Sequence, residues 1–94
     1  MLKLPPGFVP QVESHREVGF KSYEFNRVYG PDGHLDLGRS FWVMTPLDQG
    51  EHPQAREITF ADYRTAAGRE ALSFDDFKSH DMAVEKIEGW FSKK

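Results

Sequence analysis

Hydrophobic and polar side chains alternate from Val18 to Leu47, and a strong turn signal interrupts this alternation in the middle. Gly30-Pro31-Asp32-Gly33 supplies a proline for the first corner, an aspartate for the second and a glycine for the left-handed residue that follows. Such a sequence is typical of a type I turn closed by a glycine bulge, which joins two antiparallel strands. The pattern therefore predicts a β-hairpin with strands over 16–29 and 34–46.

The turn also predicts which side chains share a face, because it pairs residues whose numbers sum to about 64. One predicted face is apolar along most of its length and holds Lys21, Tyr23, Phe25, Arg27 and Tyr29 opposite Val43, Phe41, Arg39, Leu37 and Leu35. The other predicted face is apolar only at its base, where it holds Val18, Phe20, Trp42 and Met44. A slip of one residue would exchange the two faces.

The segments around the hairpin predict further elements. Residues 1–14 contain three prolines, which favour an extended arm and exclude a helix or an interior strand. Residues 47–57 are polar and form a predicted loop, and a third strand is expected near 56–60. Thr59 precedes an apolar pattern with an acidic first turn, which predicts a helix over about 60–70.

A C-terminal helix over about 79–92 is predicted by apolar residues at helical spacing, namely Ala83, Val84, Ile87, Trp90 and Phe91. Ser79 is the preferred N-cap, and a start at Ser73 remains open because either hydroxyl could accept a first-turn amide. Together the elements predict a small α+β fold in a single domain, 1–94, with two helices packed on one face of an antiparallel sheet.

The composition narrows the classes of function. The chain has 94 residues, no cysteine and a net charge of −3. It therefore excludes a disulfide scaffold, cysteine zinc sites and thiol catalysis, and it favours a reducing compartment such as the cytoplasm. No apolar run is long enough to span a membrane and the first residues do not resemble a signal peptide, so no membrane partner is expected.

The residues able to do chemistry are scattered. The histidines stand alone at positions 15, 34, 52 and 80, and His34 with Asp36 would need further ligands to hold a metal. No cofactor motif is present, so neither a metal nor a cofactor is expected. His80 and the acidic cluster at 75–81 leave a small enzyme open as an alternative, but helix capping explains these residues as well.

The outer part of the hairpin carries the candidate binding residues, which are Arg27, Tyr29, Leu35, Leu37 and Arg39. Two short helices cannot cover this whole face, and aromatic residues with arginine are enriched at protein interfaces. The sequence therefore predicts a small non-enzymatic binding or regulatory protein that contacts another protein, with a homodimer left open. A nucleic-acid-binding module that uses the same face is the alternative, although the mild negative charge disfavours it.

Overall fold

The hairpin pattern forms part of a four-stranded antiparallel sheet in the computed structural model, which describes residues 3–48, 50–51, 54–66, 68 and 71–79. The strands lie in the order β1 (Val9–Val18), β2 (Lys21–Tyr29), β3 (Leu35–Pro46) and β4 (Arg56–Thr59). Two short helices follow, α1 (Phe60–Ala66) and α2 (Phe74–Phe77). The predicted α+β class is confirmed, and the strand expected near 56–60 is β4.

The predicted proline-rich arm contributes an additional strand. Residues 9–14 belong to β1, which pairs with β2 at the edge of the sheet. An edge strand tolerates Pro10, because one side of its backbone has no neighbouring strand that needs an amide donor. Gly19 and Phe20 then form a two-residue turn with Val18 opposite Lys21, so the strand predicted from residue 16 is divided between β1 and β2.

Two glycines with positive φ make the tight turns possible. Gly19 has φ +61° and occupies the first position of the β1–β2 turn, as in a type II′ hairpin. Gly33 has φ +81° and closes the predicted β2–β3 turn, where its amide donates to the Gly30 carbonyl over 2.9 Å. The Gly30 amide in turn donates to the His34 carbonyl, also over 2.9 Å, which confirms the predicted three-residue loop.

The predicted register is correct at the outer turn and wrong along the rest of the hairpin. Tyr29 faces Leu35 and Val28 faces Asp36, as predicted, but Asn26 faces Phe41. Between these pairs β3 contains three more residues than β2, in an irregularity that spans 37–40. A shift by an odd number of residues moves every side chain of a strand to the other face of the sheet. Trp42 and Met44 therefore lie on the same face as Phe25 and Tyr23, whereas the predicted register placed them on the other face.

This shift brings the largest apolar side chains of the sheet together. Trp42 lies between Phe25 and Ile58 on one face, called here the core face, and all three are buried. The core cluster comprises Tyr23, Phe25, Trp42, Met44, Ile58, Phe60, Tyr63 and Phe77. Burial of Trp42 with these aromatic rings gives the observed register more apolar contact than the predicted one could provide.

The two helices cover the core face. Phe77 of α2 is fully buried, and its ring lies 5.9 Å from that of Phe25 and 5.1 Å from that of Phe60. The Trp42 indole Nε1 donates to the Phe77 carbonyl over 2.7 Å, which fixes the end of α2 on the sheet. The Ser73 hydroxyl caps α2 by accepting from the Asp76 amide. The predicted helix over 79–92 lies outside the described residues, apart from Ser79.

Candidate functional site

The core face continues beyond the helices toward the Gly30–Gly33 turn, a region called here the outer end. Val9, Tyr29 and Leu35 are direct partners across β1, β2 and β3, so their side chains form a row on one face. Val9 is 59% exposed, whereas Tyr29 and Leu35 are half-buried. Among the described ring contacts, the contact of α2 nearest to this row is that of Phe74 with Arg27, whose guanidinium lies 5.8 Å from the centre of the Phe74 ring.

Arg27 is held by a carboxylate from the edge strand. The pairing of β1 with β2 skips one residue between Val12 and Ser14, and the inserted residue is Glu13. Its carboxylate forms an ion pair and hydrogen bond with the Arg27 guanidinium, and its second oxygen lies 3.7 Å from Lys78 Nζ. The hydrogen bond that Arg27 donates to the Glu13 carboxylate raises the pKa of Arg27 above its usual value, with a smaller contribution from Tyr29.

Arg39 is held by different partners. Its guanidinium donates to the Asp36 carboxylate over 2.6 Å and lies 4.5 Å from the centre of the Phe8 ring. Arg39 is exposed, so these two contacts orient a side chain that still faces solvent. Both candidate arginines are therefore already neutralised by carboxylates of the same chain.

Four of the five candidate residues line two shallow concavities. Leu35 and Leu37 line the first concavity, which has a volume of about 530 Å³, together with Phe8, Pro31, Asp32, His34 and Asp36. Arg27 and Tyr29 line another of about 270 Å³ together with Gln11, Val12 and Glu13 from β1. Arg39 lines neither of them, although Phe8 and Asp36, which contact it, border the first. All five residues thus lie at the outer end, in two neighbouring groups.

Sequence reasoning missed the contribution of β1 to this region. Phe8, Val9, Val12 and Glu13 all border the candidate residues, yet residues 1–14 were expected to be an arm. The signal that could have found the strand is Val18-Gly19-Phe20-Lys21, because glycine at the first position of a two-residue loop between alternating segments predicts a type II′ hairpin.

The edges of the sheet are poor templates for an added strand. β1 contains Pro10, the inserted Glu13 and further charged residues at 16 and 17, and β4 has only four residues. Natural sheets use such prolines, bulges, charges and short edge strands to prevent pairing with another chain. These features disfavour extension of the sheet by a strand of another chain.

The alternative chemistries have limited support in the described part of the chain. Tyr23 and Phe25 are buried in the core, so they cannot form a stacking platform for bases, and Tyr29 is half-buried. Across residues 3–79, excluding the gaps, no group of three metal-ligating side chains occurs. Asp75 and Asp76 form the first turn of α2, whereas His80, Asp81 and His52 lie outside the described residues.

Within the described ranges, no helix is long and apolar enough to cross a membrane. No protein-family model matches the chain, and it has no significant match among curated proteins or solved structures.

Proposed function

We propose that this chain is a small non-enzymatic binding protein that acts on another protein through its outer end. The observation that carries the proposal is the row of Val9, Tyr29 and Leu35, which continues the core face beyond the contact between Phe74 and Arg27. Its site of action is proposed to be the cytoplasm, on the basis of the cysteine-free sequence.

The apolar part of this surface suits a protein partner. Val9 and Leu37 are 59% and 43% exposed, and Tyr29 presents an aromatic ring together with a hydroxyl. Aromatic and aliphatic side chains of this kind contribute most of the energy of protein interfaces when a partner excludes water from them. The partner is expected to place apolar side chains in the two concavities and polar groups at their rims.

The charges favour a protein over a nucleic acid. Arg27 is paired with Glu13 and Arg39 with Asp36, so the cations most suited to phosphate contacts are each balanced within the chain. Binding of a nucleic acid would require these ion pairs to open or would leave carboxylates close to phosphates. The paired arginines can still give direction to the interface, because a guanidinium has five N–H donors and each ion pair uses only some of them.

A photo-crosslinking residue at Leu37 tests the proposal in the native host. The expected result is a covalent adduct with one identified protein that does not form from the same residue placed at Asp62, an exposed position on α1. The purified partner should then bind the unmodified chain, and Leu37→Ser should weaken binding at least tenfold without changing the melting temperature.

Two results would contradict this assignment. The first is equal binding of the partner by the unmodified chain and by a Val9→Ser/Leu37→Ser double variant that remains folded. The second is tight binding of a single-stranded oligonucleotide whose affinity falls steeply between 50 and 200 mM salt. The second result would favour the nucleic-acid alternative.

A further inference from the structure

The residues before β1 form a turn of their own, which lies against the outer end. The Phe8 amide donates to the Pro5 carbonyl over 3.2 Å, and Gly7 has φ +88°. Residues 5–8 are called here the N-terminal turn. It packs beside the Gly30–Gly33 turn, because Pro31 closely approaches the Gly7 backbone and the edge of the Phe8 ring lies next to Gly30.

Gly7 occupies a position at which any side chain would be strained. Residues with a Cβ rarely adopt a φ of +88°. A Cβ at this position would also lie 2.8 Å from Pro31 Cγ and 3.1 Å from Pro31 Cβ. Both distances are below the roughly 3.5–4.0 Å of a favourable carbon–carbon contact. Pro31 cannot easily move aside, because its ring belongs to the backbone corner of the β2–β3 turn.

The close approach of the two turns places the Phe8 side chain in the candidate site. The Phe8 ring lines the first concavity with Leu35 and Leu37, and the Arg39 guanidinium lies 4.5 Å from the centre of this ring. Arg39 is exposed, so contact with the ring restricts a side chain that is otherwise free to move in solvent. The N-terminal turn thus adds an aromatic wall to the apolar residues and supports the neighbouring cation.

We propose that Gly7 is a positioning residue of the outer end, and that the N-terminal turn is part of the surface that contacts the partner protein. This inference rests on the proposed function, because it concerns the same surface. Gly7 has no side chain with which to contact a partner, so it acts through Phe8, whose ring it holds beside Arg39. Side chains that are already fixed lose less conformational freedom when a partner buries them.

Gly7→Ala is the test variant, and Gly50→Ala is its matched control. Gly50 also has a positive φ, +76°, but a Cβ there would meet no atom within 4 Å. NMR spectra of the free chain measure the first effect. The Phe8 ring should shift the Arg39 side-chain protons upfield, and Gly7→Ala should abolish this shift while Gly50→Ala retains it. Phe8→Leu, which has no ring, gives the value for complete loss, and an unchanged Arg39 shift in Gly7→Ala overturns the positioning role.

Binding measures the second effect, and the probe is the purified protein that crosslinks through Leu37. Gly7→Ala should weaken its affinity by about tenfold, which is the scale of losing one important interface side chain, whereas Gly50→Ala should bind it fully. The two variants should melt at similar temperatures, because both place a side chain at a positive φ. Phe8→Ala removes the ring without straining the backbone, so it should weaken binding equally even if Gly7→Ala is unstable.

The outcomes separate this inference from the proposed function. Full binding by Phe8→Ala together with weakened binding by Leu37→Ser overturns the inference and supports the proposed function. Failure of any protein to crosslink through Leu37 contradicts the proposed function and removes the N-terminal turn from a binding surface. The Arg39 shift of the free chain still decides in that case whether Gly7 positions Phe8.

Discussion

Ser40 is buried within β3, and its hydroxyl takes part in two hydrogen bonds with the backbone. It accepts from the Val28 amide over 3.2 Å and donates to the Asp36 carbonyl over 3.0 Å. The Asp36 side chain accepts from the Arg39 amide, so residues 36–40 form a closed set of local hydrogen bonds. These bonds replace the ladder bonds that the three additional residues of β3 interrupt.

Replacement of Ser40 tests the importance of this arrangement. Ser40→Ala leaves the buried Val28 amide without its acceptor, so it should lower the free energy of unfolding by about 1–3 kcal/mol. Ser22→Ala is the matched control, because the Ser22 hydroxyl contacts exposed His15 and its loss should cost less than about 0.5 kcal/mol. Urea denaturation of both variants checks the prediction, and equal losses would contradict it.

Two phenylalanines provide a second comparison at the scale of single residues. Phe77 is fully buried among aromatic rings, whereas Phe20 is exposed in the β1–β2 turn. Phe77→Ala should cost about 3–5 kcal/mol, because it removes a large buried side chain and leaves a cavity. Phe20→Ala should stay within about 0.5 kcal/mol when measured in dilute solution. A small effect at Phe77 would show that α2 does not close the core.

Glu13 connects the edge strand to both β2 and α2, because its carboxylate contacts Arg27 and approaches Lys78. The inserted position in β1 directs this side chain toward the helix, as bulges often do. The raised pKa of Arg27 means that the folded state favours the charged guanidinium. That stabilisation is fully present below the pKa that Arg27 has in the unfolded chain. It is lost only as the pH rises through the higher pKa that Arg27 has in the folded state. It is therefore constant near neutral pH.

Glu13→Gln tests this connection between elements. The variant should lose about 0.5–1 kcal/mol of stability, which is the scale of a partly exposed ion pair. Hydrogen exchange should quicken at the Phe77 and Lys78 amides more than at Tyr23, because the effect is local to α2. The control Asp75→Asn removes an exposed carboxylate 3.9 Å from Lys78 and should leave exchange unchanged. Uniform acceleration throughout the sheet would contradict a local role for Glu13.

The elements differ in how far the sequence alone could predict them. The Gly30–Gly33 turn was predictable because each of its residues has a distinct conformational preference. The strand β4 was predicted as a short segment near 56–60, next to the start of the first predicted helix. The register of the hairpin was not predictable, because the turn fixes only the residue pairs nearest to it. The rest of the register follows from burial of Trp42 against Phe25, which depends on the assembled core. Arg27 and Arg39 were both predicted as candidate residues, but Glu13, the carboxylate partner of Arg27, lies in a strand that was expected to be an arm.

At the scale of the whole molecule, the sheet separates three regions along β2. The helices cover its middle, the outer end carries the row from Val9 to Leu35, and the opposite end, at the Gly19–Phe20 turn, carries Phe20 and Leu47. We propose the outer end as the surface that contacts a partner protein.

Amide chemical shifts measured during titration with the purified partner test this assignment. We expect the largest shifts or line broadening at Val9, Tyr29, Leu35 and Leu37, whereas Asp62 on α1 and Phe20 in the β1–β2 turn should change little. The same pattern should weaken in the Leu37→Ser variant. Perturbations concentrated on α1 or on the β1–β2 turn, with an unchanged outer end, would show that the partner binds elsewhere.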